Sequence, residues 1–277
     1  MSRLIVVFIL IYFLSAKIYA TGQAGDRIII GNDTLQLLSA PFEPILQQRN
    51  ITANDLWGDS FDYNTACWRA YIATWKIENE KLYLIELAPC NYYDYPKGKC
   101  PKVNLGKKFP DICEEGKIFA GWVNEELLIA NGELLHSESN GFDRIYAKEI
   151  GLFFMNGLIV KRVNYDNSKT KVSQYSQNEI LLRDFIQSNI DWKGIESALD
   201  STTRKVYCSI ISVKENGKID SVSIIYPANV ELLNREAERV IKTIPQWDVL
   251  YKRGKLFPRI WTLPVRFDMA MMKKYSN

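Results

Sequence analysis

Residues 204–268 read RKVYCSIISVKENGKIDSVSIIYPANVELLNREAERVIKTIPQWDVLYKRGKLFPRIWTLPVRFD. The order of periods in this stretch decides the fold of the second half of the chain. Lys205–Val213 alternates as a strand, with Val206, Cys208 and Ile210 on one face. Lys214-Glu215-Asn216-Gly217-Lys218 carries Asn-Gly at its centre, a turn signal, and Ile219–Tyr226 is the return strand, ended by Pro227. The period then changes. Leu233, Ala237, Val240, Ile241 and Ile244 form one apolar stripe at helical spacing. Asn229 is the expected N-cap, and Glu231 faces the positive end of the helix dipole. Pro245 stops the helix, a loop over 246–258 follows, and Arg259–Phe267 is the last strand. Pro264 within it favours an edge or a bulge, because proline cannot donate to a ladder.

The Asn-Gly turn, the helix LNREAERVIKTIPQW, and the later GK and LPVRF together resemble the TonB C-terminal domain, as found in Bacteroidetes-like envelope proteins. The resemblance covers about a quarter of the chain. It implies a ββαβ module and a docking style, β-augmentation, in which an extended segment of another envelope protein pairs with an exposed sheet edge. On that implication the partner-binding residues are Trp261, Leu263, Val265 and Arg266 of the last strand. The chain departs from the family where Asp248-Val249-Leu250-Tyr251 replaces the usual Pro-Gly-type step after the tryptophan. It also has no Pro/Lys-rich spacer behind its apolar N-terminus.

Upstream, Glu179–Asn189 gathers Ile180, Leu181, Leu182, Phe185 and Ile186 on one helical face. Residues 164–178 are polar, and they read as a linker between domains. Before them lie short alternating runs. Arg27–Ile30 and Thr34–Leu38 flank Gly31-Asn32-Asp33, Trp68–Ile77 and Lys81–Leu87 flank Glu78-Asn79-Glu80, and Ala147–Phe154 and Leu158–Val163 flank Asn156-Gly157. Ile118–Val123 and Glu126–Ile129 add two more, with a turn expected at Asn131-Gly132 and a further strand over Glu133–His136. Strands at this spacing predict a β-rich domain, either a sandwich or a small barrel. The expected class is therefore α+β: a signal segment over 1–20, a β-rich domain over 21–163, the linker over 164–178, a TonB-like ββαβ domain over 179–268 and a tail over 269–277.

Residues 1–20 read as a secretory signal. Arg3 precedes the apolar run Leu4–Ala16, and Ile18-Tyr19-Ala20 supplies a small-residue cleavage site. Lys17 interrupts the run short of the ~20 residues that a spanning helix needs. Contact with a membrane is expected only if this segment is retained. The expected address is the periplasm or cell envelope of a Gram-negative bacterium. Five cysteines suit an exported chain, and Cys90 and Cys100 bracket the loop CNYYDYPKGKC, which reads as a loop closed by a disulfide. Cys208, on an alternating strand, is expected to be a buried, unreactive thiol. The net charge of +3 sets up no strong field for nucleic acid.

Catalytic patterns are absent. The single histidine, His136, cannot serve a two-histidine scheme, and no GxSxG, HExxH, GxGxxG or P-loop occurs. Glu114/Glu115 and Glu125/Glu126 are adjacent pairs that a strand would point to opposite faces. The reading is a non-enzymatic binding or adaptor protein of the envelope, without metal or cofactor. The alternatives are a membrane-anchored TonB-like energy transducer and a carbohydrate-active or other hydrolase in the β domain.

Overall fold

The structure, a computed structural model, describes residues 22–58, 64–137 and 141–276. The expected signal segment, 1–20, lies outside the described residues. The chain is mixed α+β and strand-rich. Its first half forms a barrel-like sheet, and its second half forms a three-stranded sheet packed on helices.

Tight turns set the register of the first half. β1 (Asp26–Ile30) and β2 (Asp33–Leu37) form a hairpin over Gly31-Asn32, and β3 (Tyr71–Glu78) and β4 (Lys81–Pro89) form one over Asn79-Glu80. β5 (Cys113–Glu114) and β6 (Lys117–Phe119) are short, whereas β7 (Glu126–Ser137), β8 (Arg144–Met155) and β9 (Leu158–Asp166) form a long meander. Asn156 and Gly157 both have positive φ, 49° and 73°, as the two-residue turn between β8 and β9 requires. A Cβ on Gly157 would also fall 2.6 Å from the Ala120 carbonyl oxygen.

The order β3-β1-β2-β7-β8-β9-β4 returns to β3, which closes the sheet into a barrel rather than a sandwich. The β1–β3 pairing is parallel, and the others are antiparallel. Closure between β4 and β9 rests on one residue pair, Lys81 with Leu158. Inside lie Ile28, Leu37, Tyr71, Trp75, Leu82, Leu84, Leu87, Ile129 and Leu152. Phe42 and Phe109, edge to face at 5.2 Å, join this core from the connecting segments.

Three expectations for this half are corrected. Asn131-Gly132 is not a hairpin turn. β7 runs through it, with register shifts against β8 that absorb the extra residues as a bulge. The disulfide joins Cys67 to Cys90, not Cys90 to Cys100, and Cys100 is a thiol. The antiparallel register explains the pairing: Tyr71 lies opposite Pro89, so the residues flanking the open end of that hairpin meet, with Cα atoms 6.0 Å apart. Residues 164–178, read as a linker, contain the end of β9, the fully buried Asn167 and a short helix over Gln174–Gln177.

In the second half, α1 (Gln174–Gln177) leads into α2 (Glu179–Asn189), whose cap Asn178 accepts from the N–H groups of Ile180 and Leu181. α3 is Trp192–Ile195. β10 (Arg204–Val213) is the central strand, with β11 (Ile219–Tyr226) on one side and β14 (Trp261–Phe267) on the other, both antiparallel. α4 (Glu231–Lys242) lays Leu233, Ala237, Val240 and Ile241 against this sheet, all fully buried. Burial of each large aliphatic side chain contributes roughly 1.5–3 kcal/mol. The N-cap is Val230, not Asn229, and has no side-chain cap bond. Asn234 closes the preceding loop instead, accepting from the Ala228 N–H and donating to its carbonyl.

The loop expected over 246–258 contains a small hairpin, β12 (Leu250–Lys252) and β13 (Lys255–Phe257), turning at Arg253-Gly254. The tail beyond 268 forms α5 (Met269–Tyr275), capped by Asp268, and Met271, Met272 and Tyr275 pack on the second core. The β12–β13 hairpin touches the barrel. Lys252 pairs with Asp143 at 2.6 Å, Arg253 pairs with Glu126 at 2.9 Å, and the Gly254 N–H donates to Asn167 Oδ1 at 2.8 Å.

Candidate functional site

β14 is an edge strand, and its alternation decides what each residue can reach. Leu263 and Val265 point inward and are buried, as is Phe267. Trp261 also turns inward, its ring edge to face with Trp247 at 5.8 Å and capped by the Arg259 guanidinium at 4.3 Å. Of the four expected partner-binding residues, Leu263 and Val265 are therefore core, Trp261 is half-buried, and Arg266 alone is exposed. Arg266 donates through Nε to Asp268 Oδ2 at 2.6 Å, the same carboxylate that caps α5. The structure thus brings the four together as one strand, not as one surface.

The outward side of β14 is made of Thr262, Pro264 and Arg266. Gln187 Nε2 donates to the Arg266 carbonyl at 3.0 Å, so that carbonyl points away from β10. The β10–β14 register is unbroken, which gives Pro264 and Thr262 the same orientation. Pro264 has no N–H to offer there. Among the described residues, no bond is made to the outward main chain of Thr262 or to the Pro264 carbonyl. On the sheet face not covered by α4, Thr262 Oγ1 lies 2.8 Å from Ser209 Oγ.

A small groove of about 100 Å³ opens where the β10–β14 ladder ends at Ile210 and Trp261. Ile211, Val213, Leu250, Leu256, Phe257 and Arg259 line it. Leu256 and Phe257 are exposed, and the neighbouring Ile260 is 65% exposed, so the N-terminal end of the edge strand is apolar. The sequence reading missed this groove because it depends on the β12–β13 hairpin, whose strands of three residues are too short to show a period.

His136 is buried where barrel and hairpin meet, 3.5 Å from the Arg259 guanidinium. Burial holds its imidazole below the ordinary range, Asp248 and Asp143 oppose that shift, and Arg259 adds to it. Glu114 and Glu115 line one shallow depression with Tyr83 and Lys117. They do not diverge as expected, because Glu115 is in a turn at φ 49°. Glu126 accepts the Tyr165 hydroxyl at 2.7 Å as well as Arg253. Among the described residues, no group of three or more His, Cys, Asp or Glu side chains could hold a metal ion, and no helix is long and apolar enough to cross a membrane.

No protein-family model matches the chain, and no curated protein or solved structure is significantly similar to it.

Proposed function

We propose that the chain is a non-enzymatic adaptor of the cell envelope, whose TonB-like C-terminal module captures an extended segment of another envelope protein. The observation that carries this reading is the outer edge of β14. Its main-chain groups at Thr262 and Pro264 are free among the described residues, and they lie beside an apolar groove. An added strand gains ladder bonds from these groups, and a large side chain of that strand can settle over Leu256, Phe257 and Ile260. Pro264 and the Gln187 contact limit the accessible edge to a few residues. Such an edge takes a short segment, not an indefinite sheet. The Cys67–Cys90 disulfide supports an oxidising compartment, which fits an exported protein.

The test is site-specific photocrosslinking in cells, with the crosslinking residue at Thr262 and a control at Lys161 on the barrel. The expected result is one discrete adduct from Thr262, in the periplasmic or envelope fraction, with none from Lys161. Loss of that adduct in Phe257→Asp would tie it to the groove. Equal, diffuse labelling from both positions, or recovery of the native chain from the cytoplasm, counts against the reading.

A further inference from the structure

The β12–β13 hairpin forms one wall of the groove beside β14, and neither hydrophobic core holds it. Among the described residues its two strands pair only with each other, and Val249, just before β12, bridges to Lys171. Leu250 and Tyr251 of β12 are buried, yet they belong neither to the barrel core nor to the core under α4. All three residues of β13, Lys255, Leu256 and Phe257, are exposed. A ribbon of two such short strands is marginal by itself. Its position therefore depends on what its turn and its charged side chains touch.

They touch the barrel. The turn at Arg253-Gly254 has positive φ at both residues, 54° and 72°. The Gly254 N–H donates to Asn167 Oδ1 at 2.8 Å. Asn167 is a fixed point: it is fully buried, its N–H donates to the Ala147 carbonyl, and its amide donates to the Tyr146 carbonyl. Arg253 reaches Glu126 at 2.9 Å, and Glu126 also accepts the Tyr165 hydroxyl. Lys252 reaches Asp143 at 2.6 Å.

Two cations carry these contacts into the groove. Lys252 Nζ, paired with Asp143, stands 5.3 Å over the Phe257 ring, which lines the groove. Arg259, which also lines it, lies 3.5 Å from His136 Nε2 of β7 and 4.3 Å over the ring of Trp261, the first residue of β14. Each cation has a barrel side chain on one side and an aromatic ring of the groove or its edge strand on the other. The face of a ring attracts a cation, so moving either cation moves the partner of that ring.

We propose that the barrel is the clamp that shapes the groove: Asp143, Glu126 and Asn167 hold the β12–β13 hairpin, and through Lys252 and Phe257 they set the wall beside β14. The groove's purpose rests on the capture reading above. The clamp gives the barrel a part in that capture although it touches no partner. Asp143 and Glu126 are thus positioning residues. Lys252 and Asp143 are both partly exposed, at 28% and 39%, so neutralising one of them removes little. Reversing a charge is different, because it turns a hold into a repulsion on a hairpin with no core of its own.

The test uses the full chain with its disulfide intact and 4-fluorophenylalanine at Phe257, read by fluorine NMR. A second protein carries the label at Phe154, inside the barrel. Asp143→Lys should shift or split the Phe257 signal and leave the Phe154 signal in place. Asp143→Lys/Lys252→Asp should return the Phe257 signal toward its original position. In cells, Asp143→Lys should lower the yield of the Thr262 photoadduct by about fivefold, the factor equivalent to the upper end for one exposed ion pair, and the double variant should restore it. A Phe257 signal indifferent to Asp143→Lys would overturn the proposal, as would failure of the double variant to restore it. So would a shifted signal with an unchanged adduct yield. The Phe257 signal needs no partner, so absence of the Thr262 adduct from wild type would sink the capture reading while the NMR result still decided whether the barrel shapes the groove.

Discussion

Asp26 and Arg69 face each other inside the barrel at 2.9 Å, both essentially removed from water. The same Asp26 carboxylate accepts the Ala73 N–H at 3.0 Å and the Trp75 indole N–H at 2.9 Å, and Arg69 donates onward to the Ala24 carbonyl at 2.8 Å. One side chain of β1 thus ties down the start of β3, alongside the parallel Arg27–Thr74 and Ile28–Trp75 pairs.

Removing one member of that pair strands the other. Asp26→Ala leaves a buried guanidinium uncompensated and should cost about 3–5 kcal/mol. The double variant Asp26→Leu/Arg69→Met should recover a large part of that loss. Urea denaturation of the three proteins checks the expectation, and a double variant no more stable than Asp26→Ala would refute it.

The Cys67–Cys90 bridge closes a loop with a sequence separation of 23 residues. Chain entropy puts its contribution at about 3 kcal/mol, so Cys67→Ser/Cys90→Ser should lower the melting temperature by several degrees. Peptide mapping without reduction should recover the 67–90 pair. Recovery of 90–100 would assign the bridge otherwise.

Thiol reactivity should separate the remaining cysteines. Cys208 is fully buried under α4, and burial, with Glu238 second, pushes its thiol up to about 11. Cys100 and Cys113 are half-buried. Iodoacetamide at pH 8 should label Cys100 and Cys113 in the native protein, and Cys208 only once urea is added. Mass spectrometry of the digest reads this directly, and native labelling of Cys208 would contradict it.

Glu78 lies between Lys117 at 2.5 Å and Lys76 at 2.7 Å, and hydrogen bonds from Lys117 and then Lys76 lower its carboxyl to about 2. A depressed carboxyl stabilises the fold above its unfolded pKa and loses that contribution as pH falls through the folded one. Here the window runs from about 4.5 down to about 2. Carbon-detected titration should place the Glu78 midpoint near 2, and Lys117→Met should move it upward. A midpoint unchanged by that substitution would deny Lys117 its role.

Local periodicity made much of the second half legible. The stripe Leu233, Ala237, Val240, Ile241 and Ile244 is buried as its spacing predicts, and the two-residue turn at Asn156-Gly157 is where its dipeptide placed it. What failed was set by tertiary register. Cys67 meets Cys90 because two strands zip from Glu78–Lys81 outward, and no count of intervening residues reveals that. On β14, exposed Thr262, Pro264 and Arg266 alternate with Trp261, Leu263 and Val265, and the large apolar side chains at every second position are a signal that this set belongs to the core. A resemblance that named the strand did not say which of its sides faces outward.

Barrel closure also has a kinetic side. The β1–β2 hairpin is made before its neighbours in the sheet, yet it belongs between strands made much later: Arg27 awaits Thr74, and Gln36 awaits Ala130. Contacts so distant along the chain make folding slow. Until β7 emerges, the far edge of β2 has no partner for Gln36 and Leu37, and a nascent chain stalled before that point is the species most in need of a chaperone.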